Sequence, residues 1–101
     1  MASQIASFTL RSIGSMVAFR RDGTIAESVV KPGALSGEYS NRTWRDVDLT
    51  GVEPAGVRVV QVAERYDAML VVLTSTGQMY VQVPKPGELG KYTWQRIATE
   101  D

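Results

Sequence analysis

The chain has 101 residues, of which 44% are hydrophobic and 22% are charged, as is usual for a soluble globular domain. Eleven basic residues balance eleven acidic ones, so no basic excess points to a nucleic acid or a membrane as partner. Cysteine and histidine are both absent, which excludes disulfides, thiol nucleophiles, imidazole bases and most transition-metal sites. We therefore expect no enzyme activity, no catalytic or metal-binding residues and no cofactor.

The amino-terminal residues do not have the charged and apolar regions of a secretory signal. The longest apolar run, Ala68 to Leu73, is far shorter than the roughly 20 residues that a membrane-spanning helix needs. We expect a soluble protein that is made inside the cell without a signal peptide.

The first half of the chain predicts four short strands, since β-branched and aromatic residues alternate with glycine-containing and proline-containing turns. A glycine after a short polar residue, at position 23, is typical of a tight hairpin between the second and third strands. The longer loop before the fourth strand opens with Lys-Pro-Gly, a common turn sequence. The predicted strands are Ile5–Leu10, Met16–Arg20, Thr24–Val30 and Thr43–Leu49.

The second half predicts the same pattern after a linker over residues 51–56. One alternative is open over residues 59–73, where the apolar residues also fall on one face of a helix. The many β-branched residues favour strands, as does the alignment with a first-half segment broken by Ile13-Gly14-Ser15. The predicted strands are Val57–Ala63, Met69–Thr74, Gln78–Val83 and Tyr92–Ala98.

The two halves form an internal repeat. When the chain is shifted by 54 residues, seven of the twenty positions from 16 to 35 are identical, including a Lys-Pro-Gly-x-Leu motif. Thr43-Trp44 then recurs as Thr93-Trp94. Such ordered similarity indicates one supersecondary unit used twice. We predict an all-β fold of two four-stranded antiparallel meanders, residues 1–50 and 57–101, within a single domain over 1–101.

The second strand of each repeat is apolar on both faces, most clearly over Met69–Leu73, whereas a sheet with one solvated face alternates. A strand of this kind must be covered on both sides, as in the stacked sheets of a β-propeller. The chain therefore resembles two propeller blades, in architecture and without a family motif. Because two blades cannot close a ring, the resemblance implies a homo-oligomer. The alternative is a compact eight-stranded β-sandwich or barrel.

Aromatic residues recur at matching places, with Trp44 and Trp94 beside Tyr39 and Tyr92. Such rings next to a polar loop can stack on a sugar, and they can equally pack between sheets. The repeats are similar in size to those of the two-blade fucose-binding lectins. That resemblance implies a ligand-binding acidic residue at Glu27 and a stacking ring at Trp44.

The chain departs from those lectins at the charged clamp that grips sugar hydroxyls. Val17 and Val71 stand where the family has arginine in the second strand, and a valine replaces the acidic residue in the second repeat. The fucose-binding activity is therefore not carried over. For Glu27 the residues predict a salt bridge with an arginine such as Arg20 or Arg45.

The loop over residues 31–42 is longer than its counterpart over 84–91 and carries Tyr39, Asn41 and Arg42. Loops on a rigid scaffold are common binding sites, and tyrosine and arginine are enriched there. We predict a non-enzymatic, self-assembling structural or interaction module that binds itself and other protein subunits, as in a virion head or tail. The alternative is a carbohydrate-binding lectin with glycan sites between adjacent blades.

Overall fold

The computed structural model describes residues 4–11, 14–35 and 39–98, and these form a nearly all-β structure. Contacts divide the chain into two compact units, residues 1–47 and 48–101. Each unit contains one four-stranded antiparallel sheet. The predicted fold class of two four-stranded antiparallel meanders is confirmed.

The strands pair in chain order in both units. The first unit contains β1 (Ile5–Leu10), β2 (Met16–Arg20), β3 (Ile25–Val30), a short 3-10 helix (Tyr39–Asn41) and β4 (Arg42–Asp46). The second unit contains β5 (Val59–Glu64), β6 (Leu70–Thr74), β7 (Met79–Pro84) and β8 (Tyr92–Ile97). Each sheet therefore has two free edges and, over the described ranges, does not close into a barrel.

The region with two competing predictions is β-structure. β5 and β6 occupy residues 59–64 and 70–74, so the helical alternative is wrong. The β-branched residues there pack on the pleated surface of a sheet, which suits their stiff side chains. In the part of the chain that the structure describes, no helix is long and apolar enough to cross a membrane.

β4 is the strand whose end differs most from the prediction, since it stops at Asp46 instead of Leu49. Asp48 gives the physical reason. Its carboxylate accepts hydrogen bonds from the Thr50 backbone N–H at 2.9 Å and from the Thr50 hydroxyl at 2.6 Å. Such local bonds compete with strand pairing and turn the chain.

The internal repeat extends to individual backbone hydrogen bonds. In the hairpin after β2, the Arg20 N–H donates to the Thr24 carbonyl at 2.9 Å. In the hairpin after β6, the Thr74 N–H donates to the Gln78 carbonyl at 2.8 Å. The register of the first strand pair also shifts at the same place in both sheets. The predicted repeat is thus confirmed as a repeat of structure.

In the first unit, buried residues lie on both faces of the sheet. Val17 and Ala18 are successive residues of β2 and therefore point to opposite faces, and both are fully buried. Ile25 lies on the Val17 face and Ala26 on the Ala18 face, and each is 1% exposed. The second strand itself is therefore buried on both sides in this repeat, as the sequence predicted, although outer strands of the Ala18 face expose larger side chains.

The second unit is covered differently. Leu70, Val72 and Thr74 share one face of β6 and are buried. Val71 and Leu73, on the opposite face, are only partly buried. The second strand of this repeat is therefore fully covered on one face, where the sequence predicted two.

One hairpin residue has an unfavourable backbone conformation. Ala68, between β5 and β6, has a φ of 68°, and the equivalent residue of the first repeat is Gly14, with a φ of 85°. A left-handed conformation costs an L-residue roughly 1–2 kcal/mol, which glycine avoids. Part of that gain is lost because glycine has more conformational entropy in the unfolded chain. We expect Ala68→Gly to raise the free energy of unfolding by about 0.5–1 kcal/mol in urea denaturation.

Ala63→Gly is the matched control, because Ala63 lies in β5, where glycine weakens a strand. It should lower the free energy of unfolding by about 0.5–1 kcal/mol. Equal destabilisation by the two substitutions would contradict the assigned strain.

Candidate interaction surfaces

One face of the first sheet displays large apolar side chains to solvent. We call it the Trp44 face and define it by Phe8, Leu10, Val30 and Trp44, which are 61%, 67%, 36% and 39% exposed. The strand register places them on the same face. Phe8 pairs with Ala18, Ala18 with Ala26 and Ala26 with Asp46, which lies two residues after Trp44 on β4. The small residues between them, including Ala18, are buried. The face thus has an apolar margin that is open to a partner.

Trp94 is the repeat equivalent of Trp44 but lies in a different environment. It is 8% exposed, and its indole N–H donates a hydrogen bond to the Asp48 carbonyl at 2.8 Å. On the same sheet face, the Tyr80 hydroxyl accepts a hydrogen bond from the Glu53 N–H at 3.2 Å. Val52, between these two contacts, is buried. Residues 48–53 therefore cover this face of the second sheet.

The covering segment is held in shape by its own side chains. Hydrogen bonds from Thr50 and, less strongly, the charge of Lys85 hold the pKa of Asp48 below its ordinary value. Gly51 follows with a φ of 105°, and a Cβ there would lie 3.7 Å from the Trp94 carbonyl oxygen. Because that distance is ordinary van der Waals contact, conformation rather than space favours glycine.

The opposite face of the second sheet is apolar and incompletely covered. Met79 is 41% exposed and pairs with Leu73 and Ile97 across neighbouring strands. The other apolar side chains of this face are partly buried, because neighbouring side chains in the middle of an open sheet shield one another from solvent. We call this surface the Met79 face and define it by Val71, Leu73, Met79, Val81, Val83 and Ile97.

Glu27 is tied into a cluster of charges in the first sheet. Its carboxylate accepts hydrogen bonds from Arg11, from Arg45 at 3.0 Å and from the Ser15 hydroxyl at 3.5 Å. The predicted salt bridge with Arg45 is confirmed, and Arg11 is a further partner that the sequence did not indicate. Arg20 pairs with Asp46 instead. A sugar hydroxyl would compete with two guanidinium groups for the Glu27 carboxylate.

In the loop predicted to bind a partner, two of the three candidate residues, Tyr39 and Arg42, contact each other. The Arg42 guanidinium lies 4.9 Å above the centre of the exposed Tyr39 ring, a cation–π contact. Arg42 also donates to the Ser28 hydroxyl at 3.4 Å, and Ser28 is the cross-strand partner of Trp44. Asn41 contributes its carbonyl to the loop. Residues 36–38 of this loop lie outside the described residues.

The predicted sugar-binding residues therefore have unequal surroundings in the two repeats. Tyr39 and Trp44 are exposed, and Arg42 contacts the Tyr39 ring and the cross-strand partner of Trp44, Ser28. Tyr92 is 48% exposed, but Trp94 is in the core of its unit. Only the aromatic pair of the first repeat is open to a ligand.

Several surface residues were missed at the sequence level. Phe8 and Leu10 are exposed. They were missed as surface residues because an apolar residue in a predicted strand is ordinarily assigned to the core. Leu35 and Leu89 occupy matching loop positions and are 71% and fully exposed. Their recurrence in the Lys-Pro-Gly-x-Leu motif was the available signal.

No protein-family model, no curated protein and no solved structure matches the chain. Within the described ranges, no three or more acidic residues are grouped so as to hold a metal ion. What characterises the surface is its own geometry, with two open apolar faces and two tryptophans in unlike surroundings.

The two tryptophans should differ in their contribution to stability. Trp94→Phe removes the donor to the Asp48 carbonyl and leaves a gap in a buried site, so we expect a loss of about 2–3 kcal/mol in the free energy of unfolding. Trp44→Phe should cost less than about 0.5 kcal/mol in the monomer, because Trp44 is exposed. Urea unfolding in dilute solution, followed by far-ultraviolet circular dichroism, measures both, and equal losses would contradict the assignment.

Proposed function

We propose that the chain is a non-enzymatic module that assembles with copies of itself and has a structural or interaction role. The observation that carries this proposal is the pair of open apolar surfaces, the Trp44 face and the Met79 face. Soluble monomers rarely expose contiguous apolar patches larger than a few hundred Å². Burying such a surface against another chain gains about 25 cal/mol for each Å² removed from water.

The polar groups of the chain support binding rather than catalysis. Glu27, the acidic residue nearest to being buried in the first sheet, is neutralised by Arg11 and Arg45. A general acid or base instead needs a reactive proton within reach of a substrate. The balanced net charge also leaves association to apolar contact rather than to electrostatic steering.

The same surfaces suit a role as one component of a larger particle, such as a virion head or tail. We interpret each four-stranded meander as a blade-like element, because propeller blades bury their faces by stacking on the next blade. A chain with two such elements and two open faces has two surfaces through which it can join an assembly. Such surfaces can bind other protein subunits of a particle as well as a second copy of this chain.

The particle mass in solution tests the proposal directly. We expect size-exclusion chromatography with light scattering to give a discrete multiple of the 11.1 kDa chain mass, which dissociates on dilution. Tyr66→Lys serves as the control for surface charge, because Tyr66 is 96% exposed in the hairpin between β5 and β6 and belongs to neither face, and it should keep the assembly. A mass of 11.1 kDa at every concentration would contradict self-assembly.

The exposed aromatic pair favours carbohydrate binding as a second candidate function. Trp44 and Tyr39 are 39% and 61% exposed, and Arg42 contacts both the Tyr39 ring and Ser28, the cross-strand partner of Trp44. Exposed aromatic faces beside polar groups suit a sugar ring. On a glycan array we expect binding that Trp44→Ala abolishes and that Tyr66→Ala leaves unchanged. Absence of binding to every glycan, or unchanged binding by Trp44→Ala, would eliminate this candidate.

A further inference from the structure

We infer that the two open faces bind each other, so that the Met79 face of one copy packs on the Trp44 face of the next. We further infer that the Ala98 carbonyl, just after β8 in the first copy, accepts a hydrogen bond from Trp44 in the second, as the Asp48 carbonyl accepts one from Trp94 within one chain. This inference rests on the self-assembly proposed above and adds its geometry. The contact is head-to-tail between two different surfaces.

The repeat identifies two types of sheet face. The Trp44 face is equivalent to the Trp94 face, because the two tryptophans align. The Met79 face is equivalent to the face of the first sheet that carries Val17 and Ile25. Each type therefore occurs twice in the chain.

On each type of face, equivalent large side chains are buried in one repeat and exposed in the other. Val17 and Ile25 are 0% and 1% exposed, whereas Met79, on the equivalent face, is 41% exposed. Trp94 is 8% exposed, whereas Trp44 is 39% exposed. One open face of each type remains, and a contact between unlike faces buries both. A contact between two Trp44 faces would leave the Met79 face uncovered.

The residues of the open faces fit such a contact. None of the sheet positions on the Met79 face is charged, so its burial desolvates no ion. On the Trp44 face, Arg20 and Asp46 are already paired with each other near one end, and Arg42 is at the other. An apolar centre with charges at the margin is the usual composition of a protein interface.

The covered tryptophan shows which part of the neighbour reaches Trp44. Trp94 donates to the carbonyl of Asp48, the second residue after β4. When Thr43-Trp44 is aligned with Thr93-Trp94, the residue equivalent to Asp48 is Ala98, just after β8. Among the described residues, none accepts a hydrogen bond from the Trp44 indole. The Ala98 carbonyl of the next copy is the acceptor that the repeat supplies.

Two substitutions that block one face each test the pairing. Leu10→Lys places a charge on the Trp44 face and Met79→Lys places one on the Met79 face, at positions 67% and 41% exposed. Each variant alone should have the 11.1 kDa mass of a single chain, because every contact needs one face of each type. An equimolar mixture should form a complex of twice that mass and no larger species, since the mixture has one intact face of each type.

The outcomes separate this inference from the proposed function. A monomeric wild-type chain contradicts self-assembly itself. A wild-type oligomer that survives Met79→Lys shows that assembly does not need the Met79 face, and it overturns the head-to-tail contact. A mixture that stays monomeric, when both variants are folded by circular dichroism, overturns it as well.

The tryptophan indole protons test the role of the β8 end. When only the Met79→Lys variant is isotopically labelled, hydrogen exchange of its Trp44 indole N–H should slow by at least tenfold in the mixture relative to that variant alone. The Trp94 indole N–H, already bonded to Asp48, should exchange slowly in both samples and is the internal control. A dimer without protection of Trp44 would overturn the proposed acceptor while leaving the pairing of faces intact.

Discussion

The structure depends on one constraint, which is that a β-strand presents side chains to both faces of its sheet. The central strands of this chain are apolar on both sides, with Val17 and Ala18 in one repeat and Val71 and Val72 in the other. A sheet built on such strands needs two covers. Two sheets of this kind have four faces, and the described chain leaves the Trp44 face and the Met79 face without a full cover. The surfaces that we interpret as functional thus have the same origin as the core.

Much of the fold was predictable because its signals are local. The bounds of β2 and of β1 match the prediction, since both strands end at turn residues visible in the sequence. β4 ended early because the carboxylate of Asp48 bonds to Thr50, an interaction that depends on side-chain direction rather than on hydrophobic pattern. Hydrophobic periodicity alone did not distinguish a helix from strands over residues 59–73, and the many β-branched residues there favoured the strands that are observed.

The candidate surfaces were less predictable because they arise from differences between near-identical repeats. Thr-Trp occurs in both, yet only Trp94 is covered, and its cover comes from residues about 45 positions earlier in the chain. Glu27 stands where the second repeat has Val81, so one position forms an ion cluster in one sheet and an apolar surface in the other. The sequence indicated the partner Arg45 but not Arg11. Such pairings depend on how far a long side chain reaches, which the pattern of a strand does not encode.

The order of the strands has a consequence for how the chain folds. Every strand of both sheets pairs with its neighbour in sequence. No strand pairing therefore requires a distant segment of the chain, and the entropy lost on closing each loop is small. The first sheet is complete once residue 46 is available, before any of the second has been synthesised. A growing chain can therefore fold one repeat at a time on the ribosome, and the contacts that we propose for the apolar faces form only after both sheets are complete.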